Sequence, residues 1–231
     1  MTILAETVWT EIATTNLVLA IPLGSTEQHG PHLPLSTDTD IASTLTARLA
    51  KSVPWVAVAP ALAYGSSGEH QAFAGTLSIG ERAVELVVIE LVRSAMNTFS
   101  RVVLVSAHGG NDRAVARAVR RLREEGNDVR AWSPSIVWNG DAHAGFLETS
   151  VMLALNAARV RTDAATAGDT RPIEELIEVL RSDGVAAVSA NGVLGDPTGA
   201  STEAGLALLA EASASLIAAV RVWPESDKAW L

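Results

Sequence analysis

The chain has 231 residues, no cysteine, and 17 Lys and Arg against 26 Asp and Glu, for a net charge of -9 with His neutral. The lack of cysteine excludes disulfides, thiolate catalysis and cysteine-ligated zinc, and the acidic balance argues against nucleic acid and anionic membranes, which are bound by clustered Lys and Arg. The N-terminal MTILAETVWTEI has neither a basic n-region nor a long apolar run, and no segment approaches the ~18 uninterrupted apolar residues of a membrane span, so a soluble, cytoplasmic protein is expected.

In chain order, residues 16–24 (NLVLAIPLG) form a short apolar run ended by proline and glycine, the pattern of a buried strand. Residues 40–50 place Ile41, Leu45 and Leu49 four apart, a helix face. A second strand is predicted over 54–60 (PWVAVAP), then a helix over 81–99 with an apolar stripe from Val84 to Phe99. Residues 101–107 (RVVLVSA) are the clearest buried strand, and 111–126 form an amphipathic helix closed by Gly126. A strand over 128–133 follows, then a helix over 148–158 and a helix over 171–184, with Pro172 in its first turn and Gly184 at its end. The chain closes with a weak strand over 185–190 and an Ala-rich packed helix over 201–222, interrupted by Glu211. The alternation of strand and helix predicts an α/β fold, a three-layer α/β/α sandwich with a mostly parallel central sheet, in a single domain spanning 1–231.

Polar clusters follow the strands: STEQHG after the first, YGSSGEH after the second, SAHGGND after the third. Open α/β sheets bind ligands beyond the carboxyl ends of their strands, so the three clusters converge on one rim. Glu27 and His29 are two apart, and in extended chain both face the same side. Gly30, Pro31 and Pro34 keep that chain open, and Asp38 or Asp40 folds back toward it, Asp40 being favoured as the cap of the helix that follows. His108 stands at the end of a strand before Gly109 and Gly110, with Asn111 or Asp112 placed to cap the next helix. His143 and Glu148 flank a short apolar turn; on spacing alone Glu148 reads as a carboxylate favoured by a helix N-terminus. Glu69 and His70 sit in a glycine-rich loop and carry little weight alone, while Tyr64, Trp132 and Trp138 are candidates for pocket walls or core. No nucleotide-binding glycine loop occurs, and Ser25 lacks the second glycine of a nucleophile elbow. Mixed carboxylate and imidazole ligands suit zinc, manganese or iron, and a carboxylate shared by two ions is a recurrent hydrolytic arrangement.

Four stretches, STEQHGPHLPLSTDTD, GEHQAFAGTLS, SAHGGND and HAGFLETS, together resemble the creatininase family of amidohydrolases in content and order. Within the family, IPLGSTEQHGPHLPL, YGSSGEHQAFAGTLSIG and SANGVLGDPTGAS are similar to the branch associated with mycofactocin biosynthesis, whose members are peptidases. The resemblance implies two divalent ions per subunit (zinc, iron or manganese), with Glu27 and His108 on one, His29 and Glu148 on the other and Asp38 between them. It implies His143 as a proton carrier, with Glu148 beside it in the reaction, and Glu69, His70, Gly109, Gly110 and Trp138 as the substrate's surroundings. It further implies hydrolysis of an amide in a modified precursor peptide to release a Val-Tyr-derived dipeptide, and a closed homo-oligomer, a hexamer or larger. One departure stands out. Creatininase carries a metal-binding glutamate at the position held here by Gly110, which counts against creatinine and leaves Glu148 as the candidate carboxylate for the second ion.

Overall fold

A computed structural model of the chain describes residues 1–12, 17–134 and 141–223. Five parallel strands form one sheet: β1 (Thr2–Ile3), β2 (Val18–Leu23), β3 (Val56–Val58), β4 (Arg101–Ser106) and β5 (Val129–Trp132), in the spatial order β1-β3-β2-β4-β5. The central pair runs from Val18 opposite Arg101 to Leu23 opposite Ser106.

Alternation along β2 sends Val18 and Ala20 to one face of the sheet, and Leu19, Ile21 and Leu23 to the other. The first face is covered by α1 (Thr37–Ser52), α4 (Phe146–Asn156) and α6 (Thr202–Arg221), through residues such as Leu45, Leu49, Met152, Leu209 and Leu216. The second is covered by α2 (Glu81–Ala95) and α3 (Asp112–Glu124), through Val84, Val88, Val115, Val119 and Leu122. The expected three-layer sandwich is therefore present, and every described strand pairing is parallel. Both faces being covered explains why β2 and β4 read as continuous apolar runs.

α6 is apolar and long enough to cross a membrane by composition alone. It instead buries Leu208, Leu209, Leu216 and Val220 in the core shared with α1 and α4. Trp132, weighed for a pocket wall, is buried in that same core.

Several boundaries differ from the sequence-based expectation. The two-residue edge strand β1 was not expected; it is recruited by pairing with β3. The weak strand expected over 185–190 is instead a single 3-10 turn at Val185–Ala187. It finds no strand to pair with, and Val185 packs with Leu176 and Leu180 of α5 (Ile173–Asp183) in a satellite cluster. α1 starts at Thr37, earlier than the apolar periodicity indicates, so Asp40 lies inside its first turn and is not the N-cap. The Thr37 hydroxyl and N–H both donate to the Pro34 carbonyl and set that start, while Asp40 accepts from Ser36 and Arg159. Asn111 is the N-cap of α3 by position, but its amide bonds elsewhere.

Candidate metal centre

The strand order reverses between β2 and β4, since the chain passes from β2 to β3 on one side and then to β4 on the other. The loops leaving such a pair diverge and open a crevice at their carboxyl ends. Asn111 ties the crevice together: its Nδ2 donates to the Gly24 carbonyl (3.1 Å) and its Oδ1 accepts from the Ser66 N–H (3.0 Å). The loops after β2, β3 and β4 are thereby fastened to one another.

The loop after β2 delivers Glu27 and His29, and the first turn of α1 delivers Asp38. The loop after β3 delivers His70, the end of β4 delivers His108, and the turn into α4 delivers His143 and Glu148. Asp38 sits at the middle. Its Oδ1 is 3.1 Å from His29 Nε2, its Oδ2 is 3.2 Å from His108 Nδ1, and Oδ2 also accepts from the Ser25 hydroxyl at 2.7 Å. Glu27 Oε2 is 3.2 Å from His108 Nε2, and Glu27 Oε1 is 3.3 Å from His70 Nε2 and 3.8 Å from His143 Nδ1. Glu148 Oε2 is 3.8 Å from His29 Nε2 and accepts from the Ala144 N–H at 2.6 Å. The helix-start role and the place beside His29 thus belong to the same side chain. The turn that aims it is unusual, because buried Ala144 adopts φ 55, a left-handed conformation rare outside glycine.

These contacts form three overlapping groups able to hold a cation, each with ligand atoms within 4.8 Å of one another: Glu27, Asp38 and His108; His29, Asp38 and Glu148; Glu27, His29 and His143. The first two share Asp38. The fit of a cation is supported by Glu27, whose side chain is 0% exposed while neither carboxylate oxygen has a hydrogen-bond partner among the described residues. An ionised carboxylate left in that condition is strongly unfavourable unless a charge compensates it. The two central imidazoles are also oriented from outside. His29 Nδ1–H donates to the Glu27 carbonyl (3.1 Å) and His108 Nε2–H to the Ser66 carbonyl (3.0 Å), leaving His29 Nε2 and His108 Nδ1 to face Asp38. Such outer bonds are the usual support of metal-ligating histidines.

Without a cation the charges are held by protons. Burial alone would lower the pKa of His29, but the Asp38 carboxylate outweighs it and raises it to about 10. His108 is likewise lowered by burial and raised further by Glu27 and Asp38, to about 10. Asp38 is held well below its usual range, because His29 and His108 overcome its burial. Burial pushes Glu27 and Glu148 up to about 7. Burial and the neighbouring cationic rings lower His70 to about 3 and hold His143 well below its usual value. A divalent ion entering here would displace the protons of His29 and His108, so its binding is expected to strengthen as pH rises toward about 10.

Of the remaining sequence candidates, Glu69, Gly109 and Gly110 lie beside this cluster. Glu69 Oε1 is 3.9 Å from His70 Nε2, and Glu69 keeps about 31% of its side-chain surface exposed. A Cβ at Gly110 would lie 2.2 Å from the Ser66 carbonyl oxygen and 2.9 Å from Glu69 Oε1, so a side chain at that position has no room. Gly109 lines a cavity of about 210 Å³ that reaches His143 and Glu148. Tyr64 is exposed on the loop after β3. Trp138 falls outside the described residues. Sequence reasoning passed over Ser25 and Gln28 as partners of the cluster. It also did not place His70 against Glu27, since a lone Glu-His pair in a loop gives no sign of what it faces.

The sequence profile of the creatininase family, described as creatinine amidohydrolase, matches residues 5–220. The chain belongs to the creatininase family. Among characterised relatives, the mycofactocin precursor peptide peptidase of Mycobacterium tuberculosis (strain ATCC 25618 / H37Rv) is 48% identical over 228 residues, covering 94% of this chain and 90% of the relative. Solved creatininases superpose over nearly the whole fold. A manganese form gives a TM-score of 0.80 at 25% identity, covering 95% of this chain and 97% of that one. A zinc–zinc form of a creatininase variant gives 0.79 at 26%, covering 95% and 96%. The creatininase fold thus accounts for the sheet order and the covered faces. Metal binding by relatives of this family accords with the carboxylate–imidazole cluster at its rim.

Proposed function

We propose that the chain is a metal-dependent peptidase of mycofactocin biosynthesis, hydrolysing an amide bond near the C-terminus of the modified precursor peptide and releasing a Val-Tyr-derived dipeptide. One observation carries the hydrolytic part: the fully buried Glu27 carboxylate, in no hydrogen bond of good geometry but 3.2 Å from His108 Nε2 and 3.3 Å from His70 Nε2, stands beside the two imidazoles that share Asp38. The substrate part is supported by the high identity to a precursor peptide peptidase over almost the full length of both chains. Glu27, Asp38 and His108 would hold one divalent ion, and His29, Asp38 and Glu148 a second, which suits zinc, manganese or iron. Ions so held would supply Lewis acidity, making water more acidic and an amide carbonyl more electrophilic.

The protein's own groups do the rest. The Gly109 and Gly110 N–H groups donate to no acceptor among the described residues and lie directly after His108, at the start of a 3-10 turn that runs into α3. They are free to stabilise negative charge on the carbonyl oxygen under attack. His143, in contact with Glu27 and His29, moves a proton toward the leaving amine. Ile41, Leu45, Leu147, Val151, Leu208 and Leu209 line the cavity of about 210 Å³, whose polar end carries His143 and Glu148. Apolar cavities of about 150 Å³ hold benzene, so this one has room for a tyrosine-derived ring beside the scissile bond. Glu69 and His70, which do not line this cavity, would meet the substrate on the side of Glu27 that His70 approaches. The exposed apolar side chains Leu35, Tyr64, Leu77 and Ile79, on the loops after β2 and β3, support burial against another copy in a homo-oligomer.

The metal-loaded protein, offered modified precursor peptide and creatinine separately, is expected to favour the peptide by at least about 10³ in kcat/KM, roughly 4 kcal/mol. Chelation should abolish the activity and added zinc or manganese restore it. Turnover of creatinine with the peptide left intact would replace the peptide reading by that of a small-amide hydrolase.

A further inference from the structure

The segment SANGVLG (189–195) takes no part in the metal cluster, yet it packs against two members of the site. We propose that Gln28, held by this strap, is a positioning residue that fixes the tautomers of His70 and His143, so that His70 presents an N–H to the centre and His143 presents a bare nitrogen. Its catalytic consequence rests on the hydrolase reading above; the tautomers themselves do not.

Gln28 is buried, and both ends of its amide are assigned by neighbours of fixed polarity. Oε1 accepts from the Gly30 N–H at 2.8 Å, and Nε2 donates to the Gly192 carbonyl at 3.1 Å. A flipped amide would set NH₂ against an N–H and oxygen against a carbonyl. The second Nε2 hydrogen then points to His70 Nδ1 at 2.8 Å. That nitrogen accepts, so the neutral His70 ring carries its proton on Nε2, the atom 3.3 Å from Glu27 Oε1. His143 Nε2 lies 2.8 Å from the Gln28 carbonyl oxygen, which only accepts, so His143 also carries its proton on Nε2. The side-chain Nε2 of Gln28 is 3.1 Å from the same atom, but both of its hydrogens are committed. His143 Nδ1 is left with a free lone pair, 3.8 Å from Glu27 Oε1. Two rings in the same tautomer thus turn opposite edges inward. His70 turns its N–H toward the Glu27 carboxylate, and the bare Nδ1 of His143 faces inward, placed to take the proton lost by the attacking water and give it to the leaving amine, while its Nε2–H stays on the Gln28 carbonyl.

The strap holds both halves of this device. His143 N–H donates to the Leu194 carbonyl (3.0 Å) and Leu194 N–H donates back to the His143 carbonyl (2.8 Å). Gly192 adopts φ +79, and a Cβ there would come within 2.1 Å of Gln28 Oε1. Asn191 Oδ1 accepts from the Ser189 hydroxyl (2.8 Å) and the Val193 N–H (3.1 Å), stiffening the turn.

The test is long-range ¹H–¹⁵N NMR of the histidine rings in the zinc-loaded, ¹⁵N-labelled full chain, which has only 5 histidines, together with kinetics of Gln28→Leu and Gly192→Ala. Wild-type protein is expected to show His70 and His143 protonated at Nε2 and bare at Nδ1. Each variant is expected to lose that pattern at His70, whose Nδ1 faces the Gln28 side chain, while His143 keeps its bond to the main-chain carbonyl of residue 28, and to lose about 10–100-fold in kcat, the range typical of outer-shell partners, with KM within about threefold and metal content unchanged. A proton on Nδ1 of either ring in the wild type overturns the proposal, whatever the variants do. Variants that keep the wild-type tautomers and kcat also overturn it. The expected tautomers in a protein that leaves the peptide intact would uphold Gln28's role and refute the substrate reading alone.

Discussion

Asp38→Ala is expected to lose both ions and at least about 10⁴ in kcat/KM, roughly 5.5 kcal/mol of transition-state stabilisation. The reason is position. Asp38 belongs to two of the three groups able to hold a cation, with one oxygen against His29 and the other against His108. Removing it leaves each ion two ligands. The metal-free variant should also be less stable by about 3–5 kcal/mol at pH 7, the usual cost of breaking a buried charge pair from one side. The sign follows from the histidines. Their folded pKa of about 10 exceeds the ordinary 6.5, so the stabilisation they share with Asp38 is complete below pH 6.5 and fades as pH rises through about 10. Elemental analysis, turnover and denaturant unfolding at pH 7 and pH 10 check all three. The stability gap between wild type and variant should be smaller at the higher pH. Full metal content with normal turnover in the variant would remove Asp38 from the centre.

His143→Gln is expected to separate chemistry from metal binding. His143 is buried and stacks between His29 (ring centroids 4.3 Å) and His70 (4.4 Å), with Nδ1 toward the centre. A positioned proton carrier is worth about 10²–10⁴ in rate, so kcat should fall by that factor in single-turnover assays while two ions per chain remain. Loss of an ion instead would make His143 a ligand, through the group it forms with Glu27 and His29.

How much of this was legible depends on how far apart the interacting residues stand in the chain. β2 and β4 announce themselves, since a strand covered on both faces is apolar throughout. Glu27 and His29 were readable because extended chain puts i and i+2 on one side, and Asp38 because proline turns return the chain. The start of α1 was misjudged because polar residues outside the apolar stripe begin the helix, Thr37 through its bonds to Pro34 and Ser36 through its bond to Asp40. Residues 185–190 read as a weak strand because Val185 to Val188 form a short apolar run, but only a neighbouring edge makes a strand, and the segment has α5 beside it. Glu148 carries one signature, a carboxylate in the first turn of a helix, and in the fold it both accepts from the Ala144 N–H just ahead of that helix and stands beside His29. Gln28 was beyond reach. An amide between two ionisable residues has no signature of its own, and its partner Gly192 is 164 residues away.

The most direct measurement is calorimetric titration of zinc into the metal-free protein at pH 8, in two buffers of different ionisation enthalpy. His29 and His108, with pKa values near 10, are still protonated there, whereas Glu27 and Glu148, near 7, are mostly ionised. Two zinc ions per chain should bind, with release of about two protons or more. Saturation at one ion per chain, or binding without proton release, would contradict a centre built on two ions around Asp38.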